Sequence, residues 1–145
     1  MTFYVTNPGE AFLLEAAVGK TNVATGFKLK LFKNNVIVSR ATVLGDLTEA
    51  TFGGYTAGGI GLLVGTWAAA TAGSGSGIAL SEKASIAYAQ QSWTWSSGSE
   101  TIYGFYITDN GGTVLIGVEN FSASKLMSAS GDSIKITPIL TLSSE

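Results

Sequence analysis

The chain changes its hydrophobic period once, early. Over residues 7–19 the apolar positions Phe12, Leu13, Ala16 and Ala17 follow helical spacing. Asn7 is expected to cap that helix, with Pro8 at its first position, Glu10 closing a capping box and Gly19 ending it. Before it, residues 2–6 read as a short strand or an extended arm.

From Phe27 onward a period of two takes over. Phe27-Lys28-Leu29-Lys30-Leu31 alternates, which puts both lysines on one face of a strand. Lys33-Asn34-Asn35 predicts a turn and Val36-Ile37-Val38 a returning strand, together a hairpin. Residues 46–52 read as a connector or short edge element, followed by a Gly-rich stretch to Gly65. Ala84, Ile86, Tyr88 and Gln90 alternate within residues 78–91, favouring strand over helix there. Trp93-Thr94-Trp95 places two indoles on one face. Residues 101–108 are dense in Ile, Tyr and Phe, as a strand covered on both faces would be. Asp109-Asn110-Gly111-Gly112 is a turn, and residues 113–121 form its partner strand. Residues 133–142 alternate again, with Ile134, Ile136, Pro138, Leu140 and Leu142 on one side. Pro138 cannot donate to a ladder, so this strand lies at an edge or carries a bulge.

Six to nine short strands separated by turn signals predict a mostly β protein: an antiparallel sandwich or jelly-roll-like barrel with one short N-terminal helix. The 145 residues fit a single domain, 1–145. No internal repeat or dividing linker is evident, and the Gly/Ser run at residues 71–77 reads as a flexible loop.

Composition narrows the chemistry. Cysteine and histidine are absent, which removes disulfides, thiolate sites, the usual neutral-pH base and the commonest metal ligand. Charged residues are 12% of the chain, about half the usual share of roughly 25%. Mean hydropathy is +0.33. So apolar a surface calls for a cover, which a membrane or other protein copies would supply. Residues 50–81 carry no charge, but the apolar core of that segment, residues 60–70, is about half the ~20 residues that a spanning helix needs. No membrane insertion is expected, and with Glu10 and Glu15 interrupting the first apolar stretch, no signal peptide either. A net charge of −2 gives no reason to expect nucleic acid as a partner.

The motifs lead to the same place. Gly19-Lys20-Thr21 imitates the end of a phosphate-binding loop, yet Leu14 stands where the required glycine belongs. Gly58-Gly59-Ile60-Gly61 fails the dinucleotide spacing at Val64. Asp46, Glu49, Glu82, Asp109 and Glu119 show no spacing that pairs carboxylates for glycoside hydrolysis or builds a calcium loop. Asn120-Phe121-Ser122 matches a glycosylation sequon, which reads as chance here. No catalytic residue, cofactor or metal site is expected, and an enzyme is not. Trp67, Trp93 and Trp95 are divided among core, protein interface and a sugar-stacking platform.

Asn7-Pro8-Gly9-Glu10, Leu29-Lys30-Leu31-Phe32 with Asn34-Asn35, and Leu47-Thr48-Glu49-Ala50 with Gly54-Tyr55 form a series of segments. It continues with Ile102-Tyr103-Gly104-Phe105-Tyr106-Ile107 and Gly131-Asp132-Ser133-Ile134-Lys135-Ile136-Thr137-Pro138. In their order these segments resemble those of the decoration, or cement, proteins of tailed-bacteriophage capsids. The resemblance implies a virion component on the capsid surface, a homotrimer seated over junctions of the major capsid protein. Phe3, Tyr4, Tyr55, Ile60, Leu62, Leu63, Trp67, Trp93 and Trp95 are then the expected contact residues. The alternatives are a tail, baseplate or head-fibre attachment protein, and a carbohydrate-binding module.

Overall fold

Antiparallel pairing organises the chain, as the alternating segments require. The computed structural model describes residues 3–20, 25–69 and 83–143, with backbone alone at 83–85 and 141–143. Among these residues the order is β1 (Tyr4–Val5), α1 (Asn7–Ala17), β2 (Phe27–Phe32), β3 (Ile60–Leu62), β4 (Lys83–Ala87), β5 (Gln91–Thr94), β6 (Glu100–Asp109), β7 (Leu115–Met127), β8 (Ser133–Ile136) and β9 (Ile139–Ser143). A five-stranded sheet runs β1-β7-β6-β2-β3, and two further ladders join β4 to β9 and β5 to β8.

Those two ladders are one ribbon with a kink. Ala87 pairs with Ile139 and Gln91 with Ile136, so three residues on one side oppose two on the other. The ladder is bridged at the kink by Tyr88 N–H donating to Pro138 O at 2.9 Å. The single strand expected over residues 133–142 is therefore two, broken where proline has no N–H to give. The mostly β, sandwich-like expectation holds. The barrel form does not, because no sheet among the described residues closes on itself.

The main core lies between sheet and ribbon. Leu29, Leu31, Ile102, Ile107 and Ile116 from the sheet meet Trp93, Ile134 and Ile136 from the ribbon. The other face of the sheet carries a smaller core of Phe32, Tyr106, Leu115 and Val118. Val36, Val38, Leu44 and Leu47 cover it. The 10-residue β6 is buried on both faces, as its composition predicts.

The expected hairpin at residues 27–38 is absent. β2 pairs instead with β3 and β6, and residues 35–39 form no strand. Side-chain amides take the place of ladder partners. Asn120 Oδ1 accepts from Val38 N–H at 3.0 Å, and its Nδ2 donates to Val36 O at 2.9 Å. Asn34 acts likewise, donating to Asp46 O at 2.7 Å and accepting from Thr48 N–H at 2.7 Å. β-branched residues at 36–38 signalled a strand, but their use is to pave the sheet.

The helix cap also moves by one residue. Thr6, not Asn7, is the cap: its hydroxyl accepts from Gly9 N–H at 3.2 Å and donates to Leu115 O. Thr6 N–H extends the ladder to Ile116 O at 3.1 Å, so strand and helix share one fully buried threonine. Glu10 pairs with Arg40 rather than closing a capping box. Gly9 lets the helix start lie on β7, where a Cβ would sit 2.1 Å from Ile116 O. Gly19, at φ 76°, ends the helix as expected.

The Asp109 turn closes the β6–β7 hairpin. Its carboxylate accepts from the N–H groups of Gly111, Thr113 and Val114 and from the Thr113 hydroxyl. Burial pushes this carboxyl upward, but those hydrogen bonds outweigh it and hold the group below its ordinary value. Further along the same pair the register slips. Gly104 pairs with Asn120 and Ile102 with Lys125, so Tyr103 alone opposes residues 121–124.

Candidate interaction surface

Lys30 of β2 and Lys33 just beyond it pair with carboxylates that hold loops. Glu49 accepts from Lys30 at 3.0 Å, from the Tyr55 hydroxyl at 2.9 Å and from Gly58 N–H at 2.8 Å. Burial raises its pKa, yet Lys30, Tyr55 and Gly58 together bring it below the ordinary value. The Tyr55 hydroxyl is pushed up, by burial first and then by the neighbouring carboxylate. Glu100 accepts from Lys33 at 2.9 Å, from the Thr51 N–H and hydroxyl, and from Phe52 N–H. It too lies low, with those donors overcoming desolvation. Glu49 thus accepts three hydrogen bonds and Glu100 four.

Glu119 is the exception, a carboxylate 9% exposed on β7 with a pKa raised by burial. Its Cα partner is Phe105, and aromatic rings lie in that region. No group of three or more metal-ligating side chains comes together among the described residues. Among them also, no helix is long and apolar enough to cross a membrane.

The nine expected contact residues separate into three sets. Leu62 at 0% and Trp93 at 2% exposure are core, so they present nothing to a partner. The reason is register: Leu62 pairs with Phe27 and Trp93 with Ile134, both pointing between sheet and ribbon. Phe3, Tyr4, Tyr55, Ile60 and Trp95 are half-buried against their own chain. Phe3 stacks on Phe105 with ring centroids 5.9 Å apart, Tyr4 packs on the outer core, and Tyr55 stacks on Trp93 at 6.2 Å. Ile60 flanks the main core, and Trp95 packs there while its Nε1–H donates to Gly98 O at 2.8 Å. β1 is thus a strand of its own sheet, and the extended-arm reading falls away. The free-platform reading of the tryptophans loses Trp93 for the same reason of burial.

Leu63 and Trp67 remain. Leu63 is 60% exposed and its neighbour Val64 53%, beyond the end of β3. Trp67 is half-buried in a relay of edge-on rings: Phe12 to Phe27 at 6.4 Å, Phe27 to Trp67 at 6.4 Å, and Trp67 to Tyr88 at 5.1 Å. Tyr88 ties the relay to the backbone by accepting from Leu63 N–H at 3.1 Å. Phe12 reaches this point because helix α1 brings it, and Phe27 because β2 begins there. The result is an apolar ledge of Leu63, Val64, Trp67, Phe12 and Phe27.

Phe12, Phe27 and Val64 were not foreseen as part of it. Phe12 and Phe27 read as ordinary stripe and strand residues, and only the fold joins them. Leu14 at 70% and Val18 at 68% exposure, on the opposite side of the helix from Phe12, were equally unforeseen. Their four-residue spacing, off the Phe12–Leu13–Ala16 stripe, is a signal that a helical projection of the sequence contains. Gly19 and Lys20, the phosphate-loop mimic, lie at the exposed helix end, where Lys20 meets Glu15 at 3.9 Å. Comparison with protein-family models, with curated proteins and with solved structures gives no match to this chain.

Proposed function

We propose that this protein is a non-catalytic virion component that binds an assembled capsid and stabilises it by bridging its subunits. The observation that carries the assembly reading is the ledge of Leu63, Val64 and Trp67. It is apolar, exposed at Leu63 and Val64 and half-buried at Trp67, and sits in a chain stretch with no charged residue from Ala50 to Ala69. Apolar side chains exposed together mark contact surfaces in soluble proteins. Burying them removes water at roughly 25 cal/mol per Å². The capsid and its major protein come from the sequence resemblance, and they fit a chain whose acids and lysines serve as loop anchors. A ligand that binds only the assembled shell stabilises that shell by mass action, and symmetric copies multiply the effect.

The test has two parts. Sedimentation velocity and native mass spectrometry at micromolar concentration are expected to give a homo-oligomer, with a trimer the expected size. Leu63→Lys combined with Val64→Lys is expected to abolish either self-association or binding to purified particles. A wild-type chain that stays monomeric and does not sediment with any particle would overturn the reading.

A further inference from the structure

The register slip in the β6–β7 hairpin leaves a second surface. Between the Gly104–Asn120 and Ile102–Lys125 pairs, residues 121–124 have no Cα partner in β6. On their other edge β1 reaches only Gly117 and Val118, so among the described residues no strand covers them there either. A cleft of about 300 Å³ opens at this place, lined by residues 35–37, Tyr103 and residues 120–124. That volume is at the small end of the range for ligand clefts, about 300–1,000 Å³.

Three properties of the lining restrict what fits. None of the nine lining residues is charged. The Asn120 side-chain amide is already committed to Val36 and Val38. What the cleft offers is main chain: a four-residue stretch of β7 without ladder partners, beside a strap segment that is itself not in a strand. Ile37, 94% exposed, and half-buried Phe121 and Tyr103 supply apolar surface, while Ser122, Ala123 and Ser124 are small enough to leave the backbone approachable.

We infer that this cleft binds a short, extended, uncharged peptide segment of another protein by strand addition to residues 121–124. Unpaired strand backbone is a template for a new strand, with alternate side chains setting specificity. Ile37 and Tyr103 would receive every second side chain of the incoming segment. A charged segment would find no counter-ion in the lining and would lose solvation on entry. This inference does not rest on the capsid reading, since the cleft shares no lining residue with the ledge.

The test uses the full chain, ¹⁵N-labelled, titrated with an acetylated and amidated octapeptide of repeated Thr-Val-Ser-Val. Amide shifts are expected at Ile37, Tyr103 and residues 121–124, with Trp67 unmoved. The same peptide with alternate nitrogens methylated cannot donate from those positions, and is expected to bind at least about tenfold more weakly, as loss of one or two net hydrogen bonds implies. Ala123→Arg, at an exposed position, is expected to weaken the parent peptide similarly. The methylated peptide needs no variant, so a poorly folded Ala123→Arg protein leaves the test intact. Absent shifts, shifts centred on the ledge, or equal binding of the methylated peptide would each overturn the inference. A failed particle-binding assay would leave this result standing, and the converse also holds.

Discussion

Asn120 grips Val38 across 82 residues of sequence, its Oδ1 taking the Val38 N–H at 3.0 Å. With the second bond to Val36 O, one amide does for residues 36–38 what a neighbouring strand would do. Asn120→Leu is expected to lose both bonds, a cost of about 1–3 kcal/mol on typical net values for two hydrogen bonds. Asn120→Asp keeps the acceptor and is expected to fall between. Denaturant midpoints measure the cost, and hydrogen exchange at Val38 identifies the strap as the part released.

Glycine at position 104 is a matter of space. A Cβ there would stand 2.1 Å from Glu119 O and 2.6 Å from the Phe32 ring. Gly104→Ala is expected to destabilise by about 1–3 kcal/mol or more, as overpacking does. Gly45→Ala, with nothing within 4 Å and no positive φ, is the matched control and is expected to be near neutral. Thermal unfolding of the two variants compares them directly.

Acid should unfold the protein by releasing its loops. Glu49 and Glu100 titrate below their ordinary 4.5 in the folded chain. A carboxyl lowered on folding contributes stability that is complete above the unfolded value and is lost as pH falls through the folded one. The contribution of these two carboxylates is therefore expected to stay level down to roughly pH 5 and to weaken below it. Glu100→Gln should flatten part of that decline, as read from urea midpoints across pH 3–7.

Glu119 should show the opposite sign. Burial raises its pKa above 4.5, so the protonated form suits the fold. Its contribution is present below the unfolded value and is lost as pH rises through the folded one. Glu119→Gln is expected to raise stability at pH 7 and to make no difference near pH 4. A loss of stability at pH 7 would show that the charge has a partner that compensates for its burial.

Trp93 is 2% exposed and its Nε1–H has no hydrogen-bond partner among the described residues. Trp93→Phe removes that unsatisfied donor along with some area. It is expected to cost much less than the ~3–5 kcal/mol typical of a large aromatic cut to alanine. Comparing unfolding free energies of Trp93→Phe and Trp93→Ala checks this.

Local rules carried the strands whose pattern matches their neighbours. Alternation located β2 and β8, and the Asp109 turn located the β6–β7 hairpin, because those signals are decided within a few residues. Residues 36–38 misled for a physical reason: β-branched side chains suit any pleated contact, and the choice between strand and strap was made by Asn120, far away in sequence. The cap moved to Thr6 because the tertiary bond to Leu115 O fixes that hydroxyl. The expected loop at residues 71–77 lies outside the described residues. Of the expected contact residues, Leu63 is exposed and Trp67 half-buried. Composition could not separate them from Leu62, one position away and wholly enclosed. A one-residue step along a strand reverses the face, and no count of apolar residues records it.

The kink at Tyr88 and Pro138 gives the ribbon two short ladders in series rather than one long one. Disturbance of the β4–β9 end need not travel past the bend to where Trp93 meets Ile134. One end of the ribbon is thereby free to vary in sequence, and to take on new contacts, while the other keeps the interior in register.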